Sequence, residues 1–182
     1  MQPNTLSPIF ENFPSELTSL NQWVLWKWQN RDGKWTKPPF SPVSFSAAQV
    51  NNPETWGSFS QAKDAYLNKG GFDGVGFVLT RENHFTGIDL DHVVSDSGEI
   101  SQEASDIVNA VQTYTEYSPS GSGIRMFAIG SLPDSGRRKG NFEFYESGRY
   151  LTVTGNLLNE NSRIEHRERR DMGDSSDDLL RA

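Results

Sequence analysis

The hydrophobic positions along this chain switch between strand-like and helix-like spacing, and the switches outline its elements. Residues 21–29, NQWVLWKWQ, are dense in Trp, Val and Leu, side chains that favour a pleated surface. Asp32-Gly33 supplies a hairpin turn, and a return strand is expected over 34–37 before Pro38-Pro39 ends it. Over 52–69 the spacing becomes helical: Trp56, Phe59, Ala62, Ala65 and Tyr66 form a stripe, Ser58 or Asn52 can cap it, and Gly70-Gly71 stops it. Strand signals resume over 73–80 and, after a short polar turn, over 85–91, FTGIDLD, so these two strands are expected to lie side by side. A second helix is expected over 102–113, with Ile107, Val108 and Val111 as its apolar face. A Ser/Gly turn within 117–127, YSPSGSGIRMF, leads into a further strand. Residues 142–146 alternate, and Ser147-Gly148 is expected to turn them into a hairpin with 149–154. A short Arg- and Glu-rich helix over 159–170 and an acidic, Ser-rich tail over 171–182 complete the pattern.

The 182 residues suffice for one well-buried domain, here 1–170, followed by a linker-like tail over 171–182. There is no cysteine, which excludes disulfides and thiolate metal sites and leaves oxygen and histidine as the available metal ligands. No apolar stretch reaches membrane-spanning length and the first residues lack a signal-peptide pattern, so a cytoplasmic protein with no membrane partner is expected. A net charge of -7 argues against nucleic acid only in sum. Residues 1–124 carry 7 Lys and Arg against 14 Asp and Glu, whereas 125–170 carry 9 against 6. A basic segment facing an acidic one suits a place where metal ions and phosphates meet, although a solvated charge pattern has the same composition.

Asp89 and Asp91 are two residues apart in an expected strand and so project from one face. Paired carboxylates repel unless a cation lies between them, and hard divalent ions take oxygen ligands while keeping positions open for phosphates. The plainer reading is a strand end with surface aspartates. His84 and His92 flank the stretch, as further ligands or as surface histidines. Around Ser120 and Ser122 the small residues let backbone N–H groups approach an anion, and Arg125 follows with a fixed charge that can reach a phosphate. Glu143 and Tyr145 share the face opposite Phe142 and Phe144, which leaves Glu143 free to complete an acidic cluster. Lys37 is held by the prolines that follow it, and the basic cluster Arg137, Arg138 and Lys139 is a candidate for contacts with a nucleic-acid backbone. The tryptophans at 23, 26 and 28 serve either as core or as a nucleotide-stacking platform.

In this order, GIDLD, SPSGSGIRM and FEFYESGRYLTVTG resemble the three motifs of the archaeo-eukaryotic primase superfamily, in particular the primase-polymerase domains of phage and plasmid replication proteins. The similarity extends upstream through KPPF and NPETWGSFSQA and covers most of residues 20–170. It implies an α+β fold: a mixed or antiparallel RRM-like sheet, flanking helices and a β-rich N-terminal half. It implies metal-dependent nucleotidyl transfer onto a primer 3′-hydroxyl on a single-stranded DNA template, with a dNTP or NTP as substrate. Asp89, Asp91 and Glu143 would be the catalytic carboxylates and the ligands of Mg²⁺ or Mn²⁺. Ser120, Ser122, Arg125, Arg149, Tyr150 and Lys37 would hold the nucleotide. Many members carry histidine at the position of Arg125, and arginine preserves phosphate binding rather than a titrating role. The tail SSDDLLRA resembles the start of a linker to a downstream helicase-like region. Two other classes use the same features: a catalytically incomplete nucleic-acid-binding replication module, and a metal-dependent nuclease or phosphohydrolase. In the folded chain, Asp89, Asp91 and Glu143 are expected to converge on one sheet face with Arg125 across the cleft.

Overall fold

The computed structural model describes residues 2–130, 136–159 and 164, with the backbone alone at 136 and 137. A short helix, α1 (Ser15–Thr18), leads into β1 (Trp23–Trp26), a strand buried at every position. The chain then leaves that sheet: β2 (Gln29–Arg31) and β3 (Lys34–Thr36) form a separate hairpin, turned by Asp32 and Gly33 at φ 51° and 83°. One strand was expected over 21–29, and there are two, because Lys27 and Trp28 carry the chain from one sheet to the next. β4 (Pro39–Phe40) returns to the edge of β1. The helical stretch divides into a 3₁₀ turn (Pro53–Thr55), α2 (Phe59–Asp64) and a π-helical turn (Ala65–Lys69), with Ser58 and Gln61 closing a capping box at the start of α2. β5 (Gly74–Val78) pairs with β1.

β6 (Phe85–Leu90) opens a second sheet instead of pairing with β5. Both edges of β5 are already taken, by β1 and by the last strand of the chain, so no edge is left for β6. α3 (Gln102–Val111), capped by Ser101, is followed by β7 (Tyr114–Tyr117), β8 (Ile124–Ile129), β9 (Gly136–Lys139) and β10 (Phe142–Tyr145). The second sheet has the order β7-β8-β6-β10-β9, and β11 (Tyr150–Val153) completes the first as β11-β5-β1-β4. The hairpin expected between 142–146 and 149–154 therefore does not form. β10 is paired on both sides, and Leu151 and Val153 of β11 bury in the core of the first sheet. Strand pairings among the described residues are antiparallel, and the fold is α+β.

One face of the second sheet, Ile88, Leu90, Ile124, Met126 and Phe144, packs on Ala104, Ile107 and Val111 of α3. Its other face sends Phe85, Tyr114 and Phe127 into the first sheet, where they meet Trp23, Leu25, Phe77 and Leu151. Each such buried side chain contributes about 1.5–3 kcal/mol. The sheets approach closely at Gly87, where an added Cβ would strike Leu151 and lie 2.8 Å from Leu79 Cδ1. The helix expected over 159–170 lies outside the described residues except Asn159 and Ile164, and the tail over 171–182 lies outside them entirely. Among the described residues no helix is long and apolar enough to cross a membrane.

Candidate active site at the end of the second sheet

Five charged residues form one cross-strand row: Glu116 opposes Arg125, Arg125 opposes Asp89, Asp89 opposes Glu143, and Glu143 opposes Arg138. Directly opposed residues on antiparallel strands share a face. By alternation this is the face of Phe85, Phe127 and Tyr114, turned toward the first sheet. Asp89 comes late in β6 and Glu116 late in β7, while Arg125 and Glu143 come early in their strands. Antiparallel pairing thus gathers the row at one end of the sheet.

Arg125 is 3% exposed and grips Asp89 with two bonds, Nε to Oδ1 at 3.1 Å and Nη2 to Oδ2 at 3.2 Å. Burial works against its charge, but Asp89, with Asp91 and Glu116, raises its pKa and keeps the guanidinium ionised. Its third nitrogen, Nη1, is buried with no hydrogen-bond partner among the described residues. An unpaired buried N–H on a full charge is costly and suits an incoming anion. Asp91, just past β6, has its pKa raised by partial desolvation and then by Asp89, so the two carboxyls lie close enough to repel.

The Ser/Gly turn between β7 and β8 packs directly on this pair. Gly123 sits so near that a Cβ there would lie 2.8 Å from the Leu90 carbonyl oxygen. Within the turn the hydroxyls form a chain, Ser118 to Ser120 at 3.2 Å and Ser120 to Ser122 at 2.9 Å. Lys37 approaches from the β3–β4 connection, its Nζ 4.9 Å from the centre of the Trp28 ring. Desolvation, then the charge of Arg125, lowers the Lys37 pKa to about 8 against the opposing pull of Asp89 and Asp91. Tyr150 is half-buried and donates its hydroxyl hydrogen to the Lys37 carbonyl oxygen. Arg149 lies over the Tyr145 ring, 5.1 Å from its centre.

The structure brings together Asp89, Asp91, Arg125, Lys37 and the serine turn. Arg125 is beside Asp89 in the neighbouring strand rather than across a cleft. Glu143 shares the face of Asp89, but its carboxylate is held by Arg138 at 2.9 Å and by the Tyr145 hydroxyl at 2.9 Å. Among the described residues no group of three His, Asp or Glu side chains is arranged to hold a metal ion. Asp89 and Asp91 nonetheless fit as two oxygen donors of the kind Mg²⁺ uses alongside substrate phosphates. His84 starts the far end of β6, about 17 Å from Asp89 at the rise of a strand, so it cannot join them. His92 instead lines a cavity of about 700 Å³ on the α3 side, together with Lys139 and Asn141. Arg138 and Lys139 are exposed, and the Arg137 side chain lies outside the description.

Glu116 was not foreseen. It is fully buried, accepts from the backbone N–H groups of Thr154 (3.0 Å) and Gly155 (2.7 Å) and from the Tyr114 hydroxyl (2.7 Å), and so ties β7 to the end of β11. The sequence signal was present in the alternation of Tyr114, Glu116 and Ser118, but β7 directly follows a helix and is only four residues long.

This chain is similar to a phage DNA primase-polymerase. It is 40% identical over 149 residues to the protein of that name from Nitratiruptor phage NrS-1, a match covering 78% of this chain and 20% of the relative. The chain thus spans about a fifth of that curated relative's length. No family model matches it.

Proposed function

We propose that this chain is a primase-polymerase catalytic domain that adds nucleotides to a primer 3′-hydroxyl on single-stranded DNA, as in phage or plasmid replication. The observation that carries the reading is the buried Arg125, locked on Asp89 with one N–H unpaired, beside a serine turn packed on the Asp89–Asp91 pair. The similarity to the phage enzyme supports it. Mg²⁺ or Mn²⁺ held by Asp89 and Asp91 would lower the pKa of the 3′-hydroxyl and neutralise charge on the triphosphate. Glu143 joins them when the exposed Arg138 releases it. Arg125 Nη1 and the hydroxyls of Ser120 and Ser122 bind phosphate oxygens, Lys37 and Arg149 add positive charge, and Tyr150 packs beside the sugar. Arg137, Arg138 and Lys139 contact the template backbone. On this reading the protein works in the cytoplasm, and a helicase-like region of a longer protein is its neighbour.

The test is primer extension with Mg²⁺ or Mn²⁺ by the wild type and by Asp89→Ala/Asp91→Ala. Metal-dependent incorporation that vanishes in the double variant is expected. One feature favours a second reading, a binding module without catalysis: Asp89 and Glu143 each already hold an arginine. DNA binding without incorporation would establish that module, and primer degradation without extension would point to a nuclease.

Lys37 adds a pH dependence. Its ammonium form binds phosphate and is lost as pH rises through about 8, so the nucleotide KM is expected to climb above that pH. Lys37→Arg keeps its charge throughout and should flatten the climb. An unchanged profile in Lys37→Arg would remove Lys37 from the nucleotide site.

A further inference from the structure

Away from the charged row, the segment that follows Lys37 leads to a second feature. Phe40 and Phe72 lie 5.7 Å apart between ring centres, and Phe45 is 6.3 Å from Phe72. Lys27 Nζ stands 4.9 Å from the centre of the Phe40 ring and 5.8 Å from that of Phe72, and Lys69 Nζ stands 4.3 Å from that of Phe45. Among the described residues no ion pair engages either lysine. Among the described residues Val43, Phe45 and Leu67 are large hydrophobic side chains left exposed, and all three belong to the 41–46 loop or to the π-helical turn Ala65–Lys69. Phe45 and Pro42 on one side and Asp64, Asn68 and Lys69 on the other line a shared surface depression.

The backbone here is strained in a specific way. Phe45 has φ 60°, a conformation that a bulky residue rarely adopts. The loop enforces it: Ser46 accepts from Ser41 N–H at 2.8 Å, Ser41 accepts from Phe45 N–H at 3.0 Å, and the Ser41 hydroxyl accepts from Val43 and Ser44 N–H at 3.3 Å each. The result is an aromatic ring held 36% exposed by a strained backbone, facing a π-helical turn, and both features concentrate at functional positions. The exposed Phe45 ring, backed by the partly buried Phe40 and Phe72 and flanked by two lysines in no ion pair, fits a polyanion with flat faces, since bases stack on rings and phosphates meet the ammonium groups. A protein partner's apolar patch would leave both lysines without a counter-charge.

We propose that Phe40, Phe45 and Phe72, with Lys27 and Lys69, form a stacking platform for single-stranded DNA outside the charged row. The proposal rests on the primase-polymerase reading for its choice of strand. Lys37 stands beside that row, within the field of Arg125, Asp89 and Asp91, and Phe40 three residues later lies on the platform, so one short segment joins the two.

The test measures anisotropy of a labelled oligothymidylate of about 20 nucleotides with the whole chain, at low and high salt. Phe45→Gly removes the ring and suits φ 60°, and Lys69→Ala removes an exposed cation, so neither threatens the fold. Each is expected to weaken binding about 10-fold, with Lys69→Ala also reducing the salt slope. Single-nucleotide incorporation at saturating primer-template should keep its kcat. Unchanged affinity in both variants, while the wild type still extends primers, overturns the platform and leaves the enzymatic reading standing. A wild type that neither extends nor binds removes both. A change in sedimentation of Phe45→Gly with unchanged DNA affinity overturns the platform in favour of a protein contact.

Discussion

Arg125→Lys is expected to lower kcat/KM for the incoming nucleotide by about 100-fold, mainly through KM. The guanidinium does two things at once: Nε and Nη2 hold both oxygens of Asp89, and Nη1 remains buried and unpaired. A lysine ammonium is a single point charge. It can sit on Asp89 or reach a phosphate, but it cannot present the planar fork that does both. Stability should fall less than activity, because the charge opposite Asp89 is kept. Arg125→Ala differs in kind: with its partner gone, Asp89 at 13% side-chain exposure loses its counter-charge, and so does the fully buried Glu116. Breaking a buried pair in this way costs about 3–5 kcal/mol. Steady-state kinetics and urea unfolding of the two variants separate the roles. A wild-type KM in Arg125→Lys would eliminate phosphate binding by Arg125 and leave it a structural partner of Asp89.

Local chemistry was legible in the sequence where one strand or one turn decides it. The Asp32-Gly33 hairpin, the Ser58 cap and the alternation that puts Glu143 opposite Phe144 all follow from near neighbours. Strand partnership was not legible, because it is set by which edges remain free. Residues 73–80 and 85–91 look like a hairpin, as do 142–146 and 149–154, yet in both cases the chain crosses between sheets. The same limit applies to the site. Sequence spacing placed Asp89 and Asp91 together, but the contact between Asp89 and Arg125 depends on β6 and β8 pairing in one register. Glu116 needed β11 as well, since its hydrogen-bond donors at Thr154 and Gly155 lie nearly forty residues downstream. Carboxylates that look free in sequence can thus be held by arginines in the fold, as Glu143 is by Arg138.

Glu116 also sets a pH dependence of stability. Burial pushes its carboxyl up to about 7, while the bonds from Tyr114, Gly155 and Thr154 pull the other way. A folded-state pKa above the unfolded value of 4.5 means that the folded chain holds the proton more tightly. The corresponding stability is complete below pH 4.5 and disappears as pH rises through about 7. Its full size is at most about 3 kcal/mol. Unfolding free energies from urea titrations at about pH 5, 6 and 7.5 should therefore fall across that window. In Glu116→Gln the slope should flatten, because the amide can still accept from Thr154 and Gly155 but does not titrate. Glu116→Ala is expected to cost about 3–5 kcal/mol, since it strands the two backbone N–H groups and the Tyr114 hydroxyl and removes the counter-charge beside Arg125. A slope that persists in Glu116→Gln would assign the pH dependence to another group. A mild Glu116→Ala would mean that water or side chains nearby replace the tie between β7 and β11.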